Sequence, residues 1–269
     1  MSKEQGKLTK LDIAFWCVIF SLMIGFVGFM AYDELTCPEQ NSCYSLEDSI
    51  ESTIDNVVHI RNKSGGWQGS GVLLKPNLIL TARHVAEDGE DFDVTLNDGI
   101  VYKANRAITS KMYDLGFIKL DVDVNLPVCT TKIGAIKDCR LGQTVYAIGS
   151  PFGDINQNSV TSGIVSSLAR KLEDFGLEKS YGWSVSWQTD TAGHPGNSGC
   201  PVYTLDGKVV GILVGGYSNA LIYCIPPELV TEDYQAIELM FLMDQYQKEL
   251  EPEYSPDDWM DSLISGELG

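Results

Sequence analysis

Residues 57–216 are a series of short alternating apolar runs with turn residues between them, and this pattern limits the fold more than any other feature of the chain. The runs are VVHI (57–60), GVLL and LIL on either side of Lys75-Pro76-Asn77, FDVTL (92–96), LGFIKL (115–120), TVYAIG (144–149), VTSGIVSSL (160–168), WSVSW (183–187), CPVYTL (200–205) and KVVGILVGG (208–216). Many strands of about five residues separated by Gly, Asn and Asp predict an all-β sandwich or barrel and argue against a βαβ architecture. Asn97-Asp98-Gly99 and Asp206-Gly207 carry the chemistry of tight hairpin turns. One helix is expected over 231–250 (TEDYQAIELMFLMDQYQKEL). Thr231 can cap it, acids fill its first turn, and Tyr234, Ile237 and Phe241 share a face. A single globular domain over roughly 54–250 accounts for the pattern.

Upstream, residues 13–32 (IAFWCVIFSLMIGFVGFMAY) form a stretch of twenty without a charge. As a helix rising about 1.5 Å per residue it would span about 30 Å, the hydrocarbon thickness of a bilayer. Lys3, Lys7 and Lys10 precede it, and Asp33, Glu34 and Glu39 follow. The positive-inside rule then places residues 1–12 in the cytoplasm and everything after Tyr32 outside, periplasmic or extracellular. The competing reading is a signal peptide cleaved after Ala31. The run exceeds the roughly 7–15 residues of a signal core and no A-x-A site follows it, which favours a single uncleaved transmembrane signal anchor. Residues 33–53 read as a polar connector.

Charge narrows the function. The 19 Lys and Arg against 37 Asp and Glu leave −18, a balance that opposes a phosphate backbone, so nucleic acid is not the expected partner. Residues 227–269 hold twelve acids and one base, so most of the excess sits at the C-terminus. Hydrophobic residues at 44% and charged residues at 21% exclude wholesale disorder. Of seven cysteines, Cys17 lies in the membrane run; Cys37, Cys43, Cys129, Cys139, Cys200 and Cys224 leave many pairings open. Proximity favours Cys37–Cys43 and Cys129–Cys139 in an oxidising compartment, with six separate thiols as the alternative. No CxxC or His-rich cluster points to a metal, and no cofactor is expected.

Three stretches carry chemistry: ILTARHV (79–85), YDLGFIKL (113–120) and DTAGHPGNSGCPV (190–202). A serine is a weak nucleophile at neutral pH and needs an adjacent base, whose tautomer a third group must hold. His84 follows a strand, and Asp114 sits beside an apolar run where a carboxylate would need a partner. Ser198 lies in a Gly-Asn-Ser-Gly turn, whose small residues let backbone N–H groups converge on one spot. Each stretch alone is ordinary. Together, in the order His, Asp, Ser within one β-rich domain, they point to nucleophilic catalysis. The other histidines fit this less well: His59 is in an expected strand and reads as structural, and His194 reads as a solvent-facing loop residue that could line the cleft but is not catalytic.

TARHV, DLGFIKL and PGNSGCPV resemble the three catalytic blocks of trypsin-like serine proteases, in particular the HtrA/Deg branch. YAIGSPFGDINQNSVTSGIVSSLAR (146–170) is similar to that branch's AIGSPFG…VTSGIVS segment, and 207–226 resembles its next strands. The resemblance implies a double six-stranded β-barrel with its active site between the barrels. It implies His84 as general base, Asp114 as its orienting carboxylate, Ser198 as nucleophile, and an oxyanion hole from the backbone of Gly196, Asn197 and Ser198. It also implies protein or peptide substrates and assembly into a homotrimer. Ala192 matches the base of the primary specificity pocket, and Leu221, Ile222 and Tyr223 stand where the facing wall should be. With no acid at Ala192, cleavage is expected after Val, Ala or Ile, since a buried Arg or Lys would be left unpaired. Asp190 is read as structural.

Departures from the family set further expectations. Its members usually carry PDZ domains after the protease, but only 43 residues follow Pro226, fewer than the roughly 90 such a domain needs. Residues 251–269 are expected to be a flexible acidic tail, with an amphipathic docking helix as the alternative. Cys200 replaces the usual second glycine after the serine, which would allow a Cys200–Cys224 disulfide. The expected activity is that of a membrane-anchored serine endopeptidase acting on unfolded or regulatory proteins. The alternative, a catalytically silent binding module on the same fold, has no need of the three residues together.

Overall fold

The computed structural model describes residues 44–111, 113–124, 131–171 and 185–226, together with 229, 237, 239–241 and 243. Six strands, β1 (Val57–Asn62), β2 (Trp67–Lys75), β3 (Leu78–Thr81), β4 (Phe92–Thr95), β5 (Val101–Thr109) and β6 (Gly116–Leu120), close into a barrel in the order β1-β2-β3-β6-β5-β4. All neighbours are antiparallel, and β4 returns to β1 with Ile60 opposite Val94. All four residues of β3 are buried, which suits a strand set between β2 and β6.

The second half repeats the plan with β7 (Lys132–Ile133), β8 (Thr144–Gly149), β9 (Ser159–Lys171), β10 (Val185–Thr189), β11 (Pro201–Thr204), β12 (Lys208–Ser218) and β13 (Leu221–Ile225). The order β11-β8-β9-β10-β13-β12 closes through the β11–β12 pairing into a second six-stranded barrel, with β7 added in parallel along β12. Closure removes the free ladder edges of the two barrels among the described residues, the solution expected for an all-β chain of short strands. One apolar cluster joins Val72, Leu80 and Ile118 of the first barrel to Tyr146, Ile148 and Ile225 of the second. A smaller one surrounds Trp187, which is wholly buried.

The double barrel expected from the resemblance is therefore present, and both hairpin turns fall where the sequence places them. Gly99 and Gly207 take positive φ between β4 and β5 and between β11 and β12. β5, β7 and β13 lie outside the apolar runs read from the sequence, and β5 is the longest of the three. In β5 only Ala104 is fully buried, with Tyr102, Ala107 and Ile108 packed on the core in part, so VYKANRAIT shows no regular apolar alternation to betray it.

The connector corrects the sequence reading. Its second half is a helix, α1 (Leu46–Thr53), capped by the Ser45 side chain. It docks on the second barrel, where the Tyr146 hydroxyl donates to the Ser49 carbonyl and lies 3.0 Å from the Thr53 hydroxyl. A polar sequence hides this helix because it buries Ser49 and Thr53, which hydrogen-bond, where most docked helices bury leucines. Leu229, Ile237, Leu239, Met240, Phe241 and Met243 are helical, and Ile237 and Phe241 join the main core as their spacing suggested. Residues 13–32, Cys37, Cys43, Cys129, Tyr234 and the tail 251–269 lie outside the described residues. Among the described residues no helix is long and apolar enough to cross a membrane.

Candidate active site

A four-residue helix, α2 (Arg83–Ala86), follows β3 after Ala82, an N-cap with no side-chain oxygen to offer the first turn. Asp114, in the loop before β6, supplies it. Its Oδ1 accepts from the His84 backbone N–H at 3.0 Å, and its Oδ2 lies 2.7 Å from Nδ1 of the same imidazole. Asp114 is buried while the His84 side chain is 46% exposed. The carboxylate thus holds Nδ1 as the protonated nitrogen and leaves Nε2 as an acceptor.

Ser198 belongs to the second barrel, in the loop between β10 and β11. Two turns form this region, and each has proline at its second position. In His194-Pro195-Gly196-Asn197 the Asn197 N–H donates to the His194 carbonyl at 2.9 Å, and Gly196 has φ of 101°. In Ser150-Pro151-Phe152-Gly153 the Gly153 N–H donates to the Ser150 carbonyl at 3.0 Å, and Phe152 has φ of 60°. Both are turns that require a left-handed third residue, natural for glycine and strained for phenylalanine. They are stitched together by the Phe152 N–H, which donates to the Pro195 carbonyl at 2.7 Å. A Cβ on Gly196 would lie 2.9 Å from that same nitrogen, so the site needs glycine twice over.

Backbone partners around Ser198 can be followed bond by bond. The carbonyls of His194, Pro195, Gly196, Asn197 and Ser198 all accept, from Asn197 N, Phe152 N, Ser70 Oγ, Cys200 N and Ser70 N respectively. The N–H groups of Asn197, Gly199 and Cys200 all donate, Gly199 to the Leu213 carbonyl at 2.8 Å. From Gly196 to Cys200, the N–H groups of Gly196 and Ser198 alone lack an acceptor among the described residues. A planar trans peptide points its N–H opposite its C=O. With the Pro195 and Asn197 carbonyls pinned, these two donors are fixed in direction. Unpaired backbone donors are rare in folded chains and mark a place prepared for a ligand oxygen.

The two halves of the site meet at Gly199. Its φ is 85°, and a Cβ there would drive into the Ser70 carbonyl and the Thr81 hydroxyl and sit 2.8 Å from the Ala82 nitrogen. Thr81 and Ala82 lead directly into the helix bearing His84, so the turn after Ser198 rests on the start of that helix.

Beside Ser198 lies a cavity of about 280 Å³ bordered by Gly193, Leu213, Gly215, Gly216 and Ile222, with His194 and Pro195 at one side. Ile222 borders it as expected and packs its Cδ1 against Gly193 and Gly216. The other expected pocket residues do not line it. Successive strand residues face opposite ways, so Tyr223 turns into the main core and Leu221 packs against that core. The Ala192 carbonyl is taken by the Thr161 hydroxyl and the Asn197 amide. Among the described residues, no Asp, Glu, Lys or Arg borders the cavity.

The remaining candidates are placed as follows. His194 lines the cavity, as its position allowed, with its ring tilted 37° to that of Phe152 at 5.5 Å between centroids, so it is not simply a solvent-facing residue. His59 is buried in β1, consistent with a structural role. Asp190 accepts from the Ile164 N–H at 2.7 Å, which makes it structural as read. Cys200 and Cys224 are free buried thiols, not a disulfide, and burial pushes Cys200 up to about 12, far from reactive. Among the described residues no group of His, Cys, Asp or Glu could hold a metal ion. Sequence reasoning missed Ser70 and Phe152. The signal for Ser70 was its setting in Gly69-Ser70-Gly71, since glycines inside a strand often mark a close backbone approach.

Comparison with known proteins gives a consistent picture. Residues 69–212 match the family model of the trypsin-like peptidase domain. A probable periplasmic serine endoprotease, DegP-like, of Halomonas elongata is 39% identical over 171 residues, 61% of this chain and 34% of the relative. The mitochondrial serine protease HTRA2 of Bos taurus is 34% identical over 198 residues, 70% of this chain and 42% of the relative. The chain thus spans between a third and a half of the length of these relatives. Among solved structures, the HtrA-type protease AlgW with tripeptide superimposes with a TM-score of 0.63 at 28% identity, covering 72% of this chain and 63% of that one.

Proposed function

The chain belongs to the trypsin-like peptidase family, and on that premise we propose that it is a serine endopeptidase of the HtrA type acting on unfolded or regulatory proteins. Ser198 attacks the scissile carbonyl while His84 Nε2 takes its proton. Asp114 holds the imidazole and stabilises the imidazolium that forms. The Gly196 and Ser198 N–H groups receive the oxyanion of the tetrahedral intermediate. His84 then returns the proton to the leaving amine, and water attacks the acyl-enzyme by the same route. The observation that carries this reading is the pair of unsatisfied N–H groups flanking a serine, beside a histidine already oriented by a buried carboxylate. Each such donor is worth about 10²–10³ in rate.

The cavity supports cleavage after Val, Ala or Ile: Ile222 narrows it, and the described residues that line it include no acid to pair with a buried cation. A cleavage-site profile dominated by Arg or Lys would contradict this. Residues 13–32 anchor the domain outside the cytoplasmic membrane in the same proposal, so the full chain should stay in carbonate-washed membranes. For the activity, the full chain is incubated with casein beside its Ser198→Ala variant. Digestion by the parent only is expected; a folded parent that binds casein without cutting it would favour the binding-module alternative.

A further inference from the structure

Ser70 lies in β2 of the first barrel with no solvent exposure, yet four hydrogen bonds tie it to both proline turns, to Ser198 and to the end of β3. Its N–H donates to the Ser198 carbonyl at 2.8 Å, and its hydroxyl donates to the Gly196 carbonyl at 2.8 Å. The same hydroxyl accepts from the Ser150 N–H at 2.9 Å, and the Ser70 carbonyl accepts from the Thr81 hydroxyl at 2.6 Å. A serine hydroxyl has one proton to donate and lone pairs to accept, and here it uses both.

We propose that Ser70 is a positioning residue for the oxyanion hole; this rests on the serine-endopeptidase reading above. The Gly196 N–H is aimed by the two carbonyls that flank it, and both trace back to one hydroxyl. The Gly196 carbonyl is held by Ser70 directly, while the Asn197 N–H at the other end of that peptide is held by the His194 carbonyl. The Pro195 carbonyl is held by the Phe152 N–H, in a turn whose first residue, Ser150, is anchored on the Ser70 hydroxyl. Removing the hydroxyl strands a carbonyl on one turn and an N–H on the other, both near the buried Ser70 side chain. Each then gains by rotating toward a new partner, and the Gly196 N–H rotates with them. Ser70 also connects the halves of the site, since the Thr81 that grips its carbonyl leads into the helix of His84.

The test uses the full chain, its Ser198→Ala variant, Ser70→Ala, and Ser70→Cys, in which a weak thiol donor keeps the shape of the side chain. Fluorophosphonate labelling rates are measured for each, with affinities for a Val-terminated peptide aldehyde, which forms an oxyanion, and for the matching product peptide, which does not. The parent should label and Ser198→Ala should not. Ser70→Ala should label about ten- to a hundred-fold more slowly, somewhat less than for loss of a whole oxyanion donor. Its aldehyde affinity should fall by a similar factor while product affinity holds, and Ser70→Cys should fall between Ser70→Ala and the parent. If Ser70→Ala does not fold, Ser70→Cys carries the test alone. A folded variant that labels at the parent's rate, or that loses aldehyde and product affinity in parallel, overturns the role of Ser70 only. A parent that does not label overturns the endopeptidase reading, and this proposal with it.

Discussion

The two barrels share a strand plan but prepare the site by different means. The first is regular, with register shifts in two of its pairings, and it delivers His84 and Asp114 through side-chain bonds: a carboxylate on an imidazole, on a helix it also caps. The second shifts register in three pairings and delivers Ser198 through the backbone, by two proline turns, a left-handed Gly196 and five satisfied carbonyls. Proton transfer calls for a titratable group held in one orientation, which a carboxylate can do alone. An oxyanion calls for donors converging on a point, which only an irregular chain path provides. The half that handles protons should therefore be sensitive to side-chain chemistry, and the half that handles the oxyanion to backbone freedom.

This contrast can be broken at either end. The largest effect is expected from Ser198→Ala or His84→Ala, each lowering kcat by about 10⁵–10⁶ in a peptide assay with little change in Tm. Next comes Asp114→Asn, about 10⁴, because the amide favours the wrong imidazole tautomer. Its loss should lie in kcat, and a loss confined to KM would break the assignment. On the backbone side, Gly196→Ala adds only one methyl, yet it should cost about 10²–10³ in fluorophosphonate labelling. Gly196→Ala behaving like the parent would erase the distinction between the halves. The smallest effect is on pH-dependent stability. His59 is buried with Nδ1 2.9 Å from Asp154 Oδ1, and burial holds its pKa below the usual 6.5, with Asp154 and Gln68 opposing and Arg61 adding to the shift. The unfolded chain then binds the proton more readily, so stability should decline as pH falls below about 6.5. His59→Gln should flatten the difference in Tm between pH 7.5 and 5.

The same contrast explains what could be read from the sequence. His84, Asp114 and Ser198 are legible because reactive side chains are rare and their order along the chain is informative. Most strands are legible because they carry short apolar runs that the core buries, as in TVYAIG, all but the first residue of which is buried. β5 is not legible, because only Ala104 is fully buried while Tyr102, Ala107 and Ile108 pack on the core in part, and neither is α1, whose fully buried side chains are the hydroxyl-bearing Ser49 and Thr53. Ser70 escapes as well. Its contribution depends on two turns more than 75 residues away, and Gly69-Ser70-Gly71 signals a close backbone approach without naming those partners. Three consecutive residues of β13 cannot all line one pocket: strand alternation sets Ile222 against Leu221 and Tyr223, and the fold decides for Ile222.

The central claim is that Ser198 is a nucleophile already activated in the folded chain. The most direct test treats the folded full chain with a fluorophosphonate, digests it and maps the adduct by mass spectrometry. The account predicts one phosphonylated peptide carrying the modification on Ser198, lost in His84→Ala. An adduct on a different serine, or none in a chain shown to be folded, would contradict it.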